Sequence, residues 1–101
     1  MIGSYDGKTD EELIRQMRAG DKEIVDYLMV KYKNLVRKKA NAFFLIGADN
    51  DDLIQEGMIG LFKAIRDYQE EKEVSFYHFA ELCISRQMYT AVQASKTQKH
   101  Q

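Results

Sequence analysis

Apolar residues recur along this chain at the spacing of α-helical faces, and no segment shows the strict apolar–polar alternation of a half-buried strand. Proline is absent. The pattern therefore predicts an all-α fold: a compact bundle of about four helices, with a long antiparallel pair at its centre.

Capping signals divide the pattern into helices. Thr9 followed by Glu12 is a capping box that opens a short first helix, and Gly20 ends it. The other predicted helices are residues 22–46 with Asp21 as cap, 51–69 with Asp49 or Asn50 as cap, and 76–95 with Ser75 as cap.

The third predicted helix has two unlike faces. One is apolar and is expected to join the core, through Ile54, Met58, Leu61, Phe62 and Ile65. The opposite face is polar and acidic around a central Ile59. Gly57 and Gly60 lie between the faces, and each costs roughly 0.5–1 kcal/mol relative to alanine inside a helix. We therefore expect the backbone of another helix to approach these two glycines closely.

The fourth predicted helix also has two faces. Its expected core stripe is Phe76, Phe79, Ala80, Cys83, Ile84, Ala91 and Ala94. The opposite face combines an aromatic ring, amide and guanidinium groups and cations, through His78, Leu82, Ser85, Arg86, Tyr89, Gln93 and Lys96. Such side chains suit nucleic-acid binding, although an ordinary hydrated surface has a similar composition.

Charge is nearly balanced overall, with 15 Lys and Arg against 16 Asp and Glu, but it is segregated. A basic block spans 31–39, an acidic block spans 49–56, and no acid follows Glu81. This distribution suits contact with both a basic protein surface and phosphates. The basic block itself is either a hydrated helix face or a weak attractor of DNA phosphates.

Catalytic and metal chemistry are not expected. His78 and the lone Cys83 are spaced five residues apart on a helix, with no further ligand at useful spacing, so we predict no metal, cofactor or catalytic residue. One cysteine excludes an internal disulfide framework. Without a signal peptide or long apolar run, we expect a soluble cytoplasmic protein of one domain that has no membrane partner.

Several stretches resemble the bacterial sigma-70 family of RNA polymerase initiation factors. The stretch DLIQEGMIGLFKAIRDY (52–68) is similar to region 2.2 of the family, and EVSFYHFAELCISRQMYTAV (73–92) to regions 2.3 and 2.4. Residues 27–44 resemble region 2.1, and the first helix resembles region 1.2. Within the family, three segments are most similar to those of an alternative factor of spore-forming Gram-positive bacteria. These segments are FFLIGAD, AELCISRQ and QKH.

The resemblance implies a domain organisation and partners. It assigns residues 9–95 to a region 2 helical domain and 96–101 to the start of a linker to an absent region 4. Residues 1–8 are polar and carry Gly3 and Gly7, so the sequence itself predicts a flexible leader there. Region 2.2 of the family docks on the β′ clamp coiled coil of core RNA polymerase, which implies a role in docking for Asp52, Gln55 and Glu56, with Ile59 as the apolar centre of the same face. An anti-sigma factor is a further candidate partner.

Regions 2.3 and 2.4 of the family recognise the promoter −10 element and hold the non-template strand as the DNA opens. The resemblance thus implies DNA-binding roles for two sets of residues. The melting segment corresponds to Phe76, Tyr77, Phe79 and the Leu82–Cys83 pair, and the recognition helix to Arg86, Gln87, Tyr89, Thr90 and Gln93. Lys96, on the same face of the fourth predicted helix, is a further candidate DNA contact.

The chain departs from the family pattern at Leu82 and Cys83, where primary factors carry a pair of tryptophans. At the upstream edge of the opened DNA, where the strands separate, we expect Leu82 and Cys83 to act as a weaker wedge between them than a tryptophan pair. Promoters used by this factor should therefore need to match its consensus sequence more closely. The rival interpretation is a helical protein-interaction adaptor that never touches nucleic acid. The acidic third helix fits that alternative, whereas the acid-free end of the fourth helix does not.

Overall fold

The computed structural model of the protein describes residues 5–43 and 50–99, with the backbone alone for 95–99. These residues form five α-helices, a short 3₁₀-helix and no strand, which confirms the all-α prediction but not the number of helices. The helices are α1 (Asp10–Arg18), α2 (Glu23–Lys31), α3 (Lys33–Ala42), α4 (Asn50–Asp67) and α5 (Phe76–Lys99), with the 3₁₀-helix at Glu70–Lys72. The predicted helix end at Ile46 and the candidate cap Asp49 lie outside the described residues.

The long helix predicted over residues 22–46 is in fact two helices that meet at Tyr32, where φ is −95° and ψ is 4°. The buried residues of this segment are spaced by four: Ile24, Leu28, Tyr32, Val36 and Ala40. Four residues turn an α-helix by about 400°, so this stripe drifts by about 40° at each step around a straight helix. The interruption at Tyr32 separates two helices with different main neighbours, since α2 packs mainly on α1 and α3 mainly on α4.

Tertiary contacts fix Tyr32 at this break. Its ring packs edge-on against Phe76 with centroids 5.4 Å apart, and its hydroxyl donates to the Asp10 carboxylate. Burial, reinforced by that bond, raises the Tyr32 pKa far above its usual range, so the phenol stays protonated. Because these partners lie far away in the sequence, the helix pattern of the segment alone did not reveal the break.

The beginning of the fold matches the predicted capping box. The Thr9 hydroxyl accepts from the Glu12 amide at 3.1 Å, and the Glu12 carboxylate accepts from the Thr9 amide at 2.8 Å. The prediction that Asp21 caps the second helix is wrong, since the N-cap is Lys22 and makes no side-chain bond. Asp21 instead accepts from the hydroxyl of Tyr5 at 3.1 Å, which anchors part of the predicted leader.

Helices α4 and α5 form the central antiparallel pair. At Gly60 the two backbones come so close that an added Cβ would lie 2.7 Å from the Cys83 carbonyl oxygen and 3.0 Å from the Ile84 Cα. This confirms the predicted close approach. At Gly57 the neighbours are instead side chains of Val36 and Met88.

This close approach also corrects two core predictions. The face of α4 that packs on α5 is centred on its small residues, so Phe62 is turned outward and 47% exposed. On α5, Ala94 is exposed, and the buried stripe continues through Met88 and Val92.

Helix α1 fastens both ends of the connection between α4 and α5. The Glu11 carboxylate accepts from the first amide of α5, that of Phe76, at 2.7 Å. The Arg18 guanidinium donates to the Tyr68 carbonyl oxygen at 2.7 Å, just beyond the end of α4. Ser75 caps α5 as predicted, because its hydroxyl accepts from the His78 amide at 3.2 Å. Helix α5 extends beyond the predicted end at Ser95, to Lys99.

Candidate functional site

The α4 outward face comprises Asp52, Gln55, Glu56, Ile59 and Phe62. Asp52 and Gln55 are exposed, Ile59 is 45% exposed, and Glu56 is half-buried. Helical geometry places all five within one side of α4, opposite the strip that packs on α5. The structure therefore brings the four sequence-predicted residues together and adds Phe62. Sequence reasoning assigned Phe62 to the core because its spacing fits the apolar stripe as well as the outward face.

A side chain of α5 reaches the edge of the α4 outward face. The Gln87 amide nitrogen donates to the Glu56 carboxylate at 2.9 Å. The Gln87 amide oxygen accepts from the Lys63 ammonium at 3.1 Å. Sequence periodicity within either helix alone gives no signal for this contact, since it depends on how closely the two helices approach.

The α5 outward face comprises Leu82, Arg86, Tyr89, Thr90 and Gln93, all of them exposed. Leu82 is 50% and Tyr89 58% exposed, so both offer apolar surface to a partner. These residues carry one positive charge and no negative charge. The structure thus places five of the ten predicted DNA-binding residues on one side of α5.

The other five predicted DNA-binding residues are placed differently. Tyr77 is 47% exposed, but it lies a third of a turn or more around α5 from this face, and its ring is 6.1 Å from that of Tyr32. Phe76 is completely buried between Tyr32 and Tyr68, so it presents no surface to a partner in this conformation. Phe79 and Gln87 are half-buried. The side chain of Lys96 lies outside the described residues.

An aromatic pocket of about 410 Å³ opens where α4 ends and α5 begins. This volume is within the range of about 300–1,000 Å³ that is typical of sites for small organic groups. The rings of Tyr68 and Phe79 lie 5.7 Å apart in its wall. The complete lining is Asp67, Tyr68, Gln69, Lys72, Val74 and Phe79. Of these, the sequence reasoning identified Phe79 alone, because the pocket is assembled from a turn that has no periodic pattern.

Asp67, the acid in the lining of this pocket, is paired with a neighbouring cation. The Arg66 guanidinium donates to the Asp67 carboxylate at 2.7 and 2.8 Å and lowers the Asp67 pKa. This pairing offsets the single negative charge in the lining, and Lys72 adds a positive one. Burial raises the Tyr68 pKa, so its hydroxyl stays protonated and donates to the Val74 carbonyl oxygen at 2.5 Å.

Neither the thiol nor the imidazole is arranged for catalysis. Burial raises the Cys83 pKa, which keeps the thiol protonated and a poor nucleophile. The His78 ring bonds to the Ser75 hydroxyl at 2.8 Å. Within 5–43 and 50–99, no three His, Cys, Asp or Glu residues are grouped as metal ligands. Over the same part of the chain, no helix has the length and apolar character needed to cross a bilayer.

Comparison with known proteins gives consistent matches. Residues 28–97 match the family Sigma-70 region 2. The chain is 55% identical over 91 residues to the RNA polymerase sigma-H factor of Bacillus subtilis (strain 168), covering 90% of this chain and 42% of that protein. It is equally similar to the sigma-H factor of Bacillus licheniformis, of which 41% is covered. The sigma-F factor of Bacillus subtilis is 36% identical over 69% of this chain and 28% of that protein. The chain therefore spans less than half the length of these relatives.

Proposed function

Since this chain belongs to the sigma-70 family, we propose that it acts in transcription initiation by docking on core RNA polymerase and presenting a surface to promoter DNA. The protein supplies promoter specificity, and the polymerase carries out the chemistry. The observation that carries the proposal is the pairing of two chemically distinct faces, one on α4 and one on α5, on helices in direct backbone contact.

The α4 outward face is the proposed site for the β′ clamp coiled coil. It has the composition of a protein-binding surface, because carboxylates surround an apolar centre made of Ile59 and Phe62. The carboxylates of Asp52 and Glu56 suit arginines on the clamp. Losing one partner of such an interfacial charge pair typically costs about 2–5 kcal/mol. Phe62 enlarges the apolar centre beyond what the sequence alone suggested.

The α5 outward face and the aromatic pocket are the proposed sites for the −10 element. Exposed Tyr89 and Arg86 can stack on bases and read their edges. The pocket can accept a base of the non-template strand that has left the helix, since the half-buried ring of Phe79 lines it and Lys72 offers a cation for phosphate. The absence of acids after Glu81 avoids repulsion of the strand along α5.

Docking is tested by the double variant Gln55→Ala with Glu56→Ala in a pull-down with core polymerase. We expect association to be abolished while the thermal unfolding curve keeps its shape, because neither residue belongs to the core. Glu23→Ala, which truncates an exposed acid of α2, is the matched control and should bind normally. Normal holoenzyme assembly by the double variant would refute the docking proposal.

DNA binding is tested with single-stranded −10 oligonucleotides in the presence of core polymerase. The free chain should bind DNA weakly and with strong salt dependence, because its net charge of −1 leaves few phosphates neutralised. With polymerase present, we expect binding that depends on the −10 sequence. A helical adaptor without nucleic-acid binding would show no such dependence, and this result would decide for the alternative.

A further inference from the structure

Gln87 belongs to α5, but its side chain lies over α4. Its Cβ is 3.0 Å from the point that a Cβ on Gly60 would occupy, so the missing side chain of Gly60 makes room for it. Glu56 and Lys63 lie about one helical turn before and after Gly60. Gln87 therefore lies between an acid and a base of the neighbouring helix.

Both ends of the Gln87 amide are occupied in this position. Its nitrogen donates to the Glu56 carboxylate at 2.9 Å, and its oxygen accepts from the Lys63 ammonium at 3.1 Å. Hydrogen bonds to charged groups are the strong ones, and they restrict the rotamers of the groups that they join. A carboxylate that is already ordered loses less conformational entropy when a partner binds it.

We propose that Gln87 is a positioning residue for polymerase docking, which holds Glu56 in place on the α4 outward face from the neighbouring helix. The inference rests on the proposed function, because it takes Glu56 to be a contact of the clamp. It assigns Gln87 a different role from Arg86 and Tyr89, which are exposed on the far side of α5. Both hydrogen bonds of the Gln87 amide are made to side chains of α4.

The direct test is Gln87→Met, which keeps the bulk over Gly60 and removes both hydrogen bonds. We expect the affinity of the chain for core polymerase to fall by about three- to tenfold, through loss of preorganisation. Asn34→Ala, which truncates an exposed amide on α3, is the control and should leave the affinity unchanged. Unfolding curves of all variants give the folded fraction.

A second measurement separates positioning from an independent contact. In a chain that already carries Glu56→Ala, adding Gln87→Met should weaken polymerase binding no further, because the group that it orders is gone. The inference would be overturned if Gln87→Met bound core polymerase with full affinity. It would also be overturned if the two substitutions weakened polymerase binding additively, or if the weaker binding merely reflected a smaller folded fraction.

The two proposals fail in different ways. If Gln55→Ala with Glu56→Ala abolishes association but Gln87→Met binds normally, the positioning role alone is refuted. If the Gln55 and Glu56 variant binds normally, docking through this face and the positioning role both fall.

Discussion

Replacement of Gly60 by alanine tests the contact that organises the fold. The new Cβ would lie 2.7 Å from the Cys83 carbonyl oxygen, 0.7 Å short of the 3.4 Å at which ordinary contact begins. It would also lie 3.0 Å from the Ile84 Cα. Both atoms belong to backbone that cannot rotate away, so α4 and α5 must separate along their most extensive interface.

The magnitude follows from two opposing effects. Alanine gains about 1 kcal/mol over glycine in helix propensity. Overpacking of a close-packed interface typically costs about 1–3 kcal/mol, and occasionally more. Because backbone atoms receive the added group, we place Gly60→Ala at the costly end and expect net destabilisation of about 1–2 kcal/mol. In a domain of this size, each kcal/mol lowers the unfolding midpoint by about 4–8 °C.

Gly57→Ala is the matched comparison on the same helix. Its Cβ would meet the Met88 Cε at 2.4 Å and the Val36 Cγ1 at 2.7 Å. The end of a methionine is flexible and can move aside, so we expect a smaller loss than at Gly60. Thermal and urea unfolding of the two variants measure the difference. A Gly60→Ala protein as stable as the wild type, or less destabilised than Gly57→Ala, would refute the reasoning.

Three other variants test separate parts of the structure. Thr9→Ala removes the capping box and should cost about 1 kcal/mol in a urea titration; an unchanged midpoint would show that the cap contributes nothing. The Lys39 ammonium, 2.9 Å from the Glu81 carboxylate, lowers the Glu81 pKa below its usual 4.5. The pair therefore stabilises the fold above about pH 4.5, and this contribution is lost as the pH falls through the folded-state pKa of Glu81. In the Lys39→Met variant, the free energy of unfolding should consequently fall less steeply on the acid side of a stability–pH profile. Equal acid limbs in the two proteins would contradict this. Leu82→Trp, in the full-length factor, should increase open-complex formation on weak promoters, measured by the reactivity of unpaired thymines; no increase would remove the expected weakness of the wedge.

Local signals were sufficient for much of this fold. The capping box at Thr9, the cap at Ser75 and the close approach at Gly60 each follow from short-range chemistry, and each is present in the structure. The outward positions of Asp52 and Gln55 follow from helical period alone.

The parts that sequence reasoning missed depend on distant partners. The break at Tyr32 is fixed by Asp10 and Phe76, and the outward rotation of Phe62 follows from the depth at which α5 packs on α4. The period of apolar residues defines the faces of a helix. When a helix has two apolar faces, however, the period does not say which of them packs against the neighbouring helix. The aromatic pocket was missed for the same reason, since its walls come from the end of one helix, a turn and the start of another.

The position of α1 explains how that pocket keeps its shape. The connection over residues 69–75 leaves the end of α4 and enters α5, and each of its boundaries is bonded to α1. Arg18 holds the Tyr68 carbonyl oxygen at one boundary, and Glu11 holds the Phe76 amide at the other. Because Tyr68 also forms part of the pocket wall, movement of α1 would shift the wall relative to Phe79. The first helix therefore supports the proposed DNA-binding site from behind, because it holds both ends of the connection that forms part of the pocket.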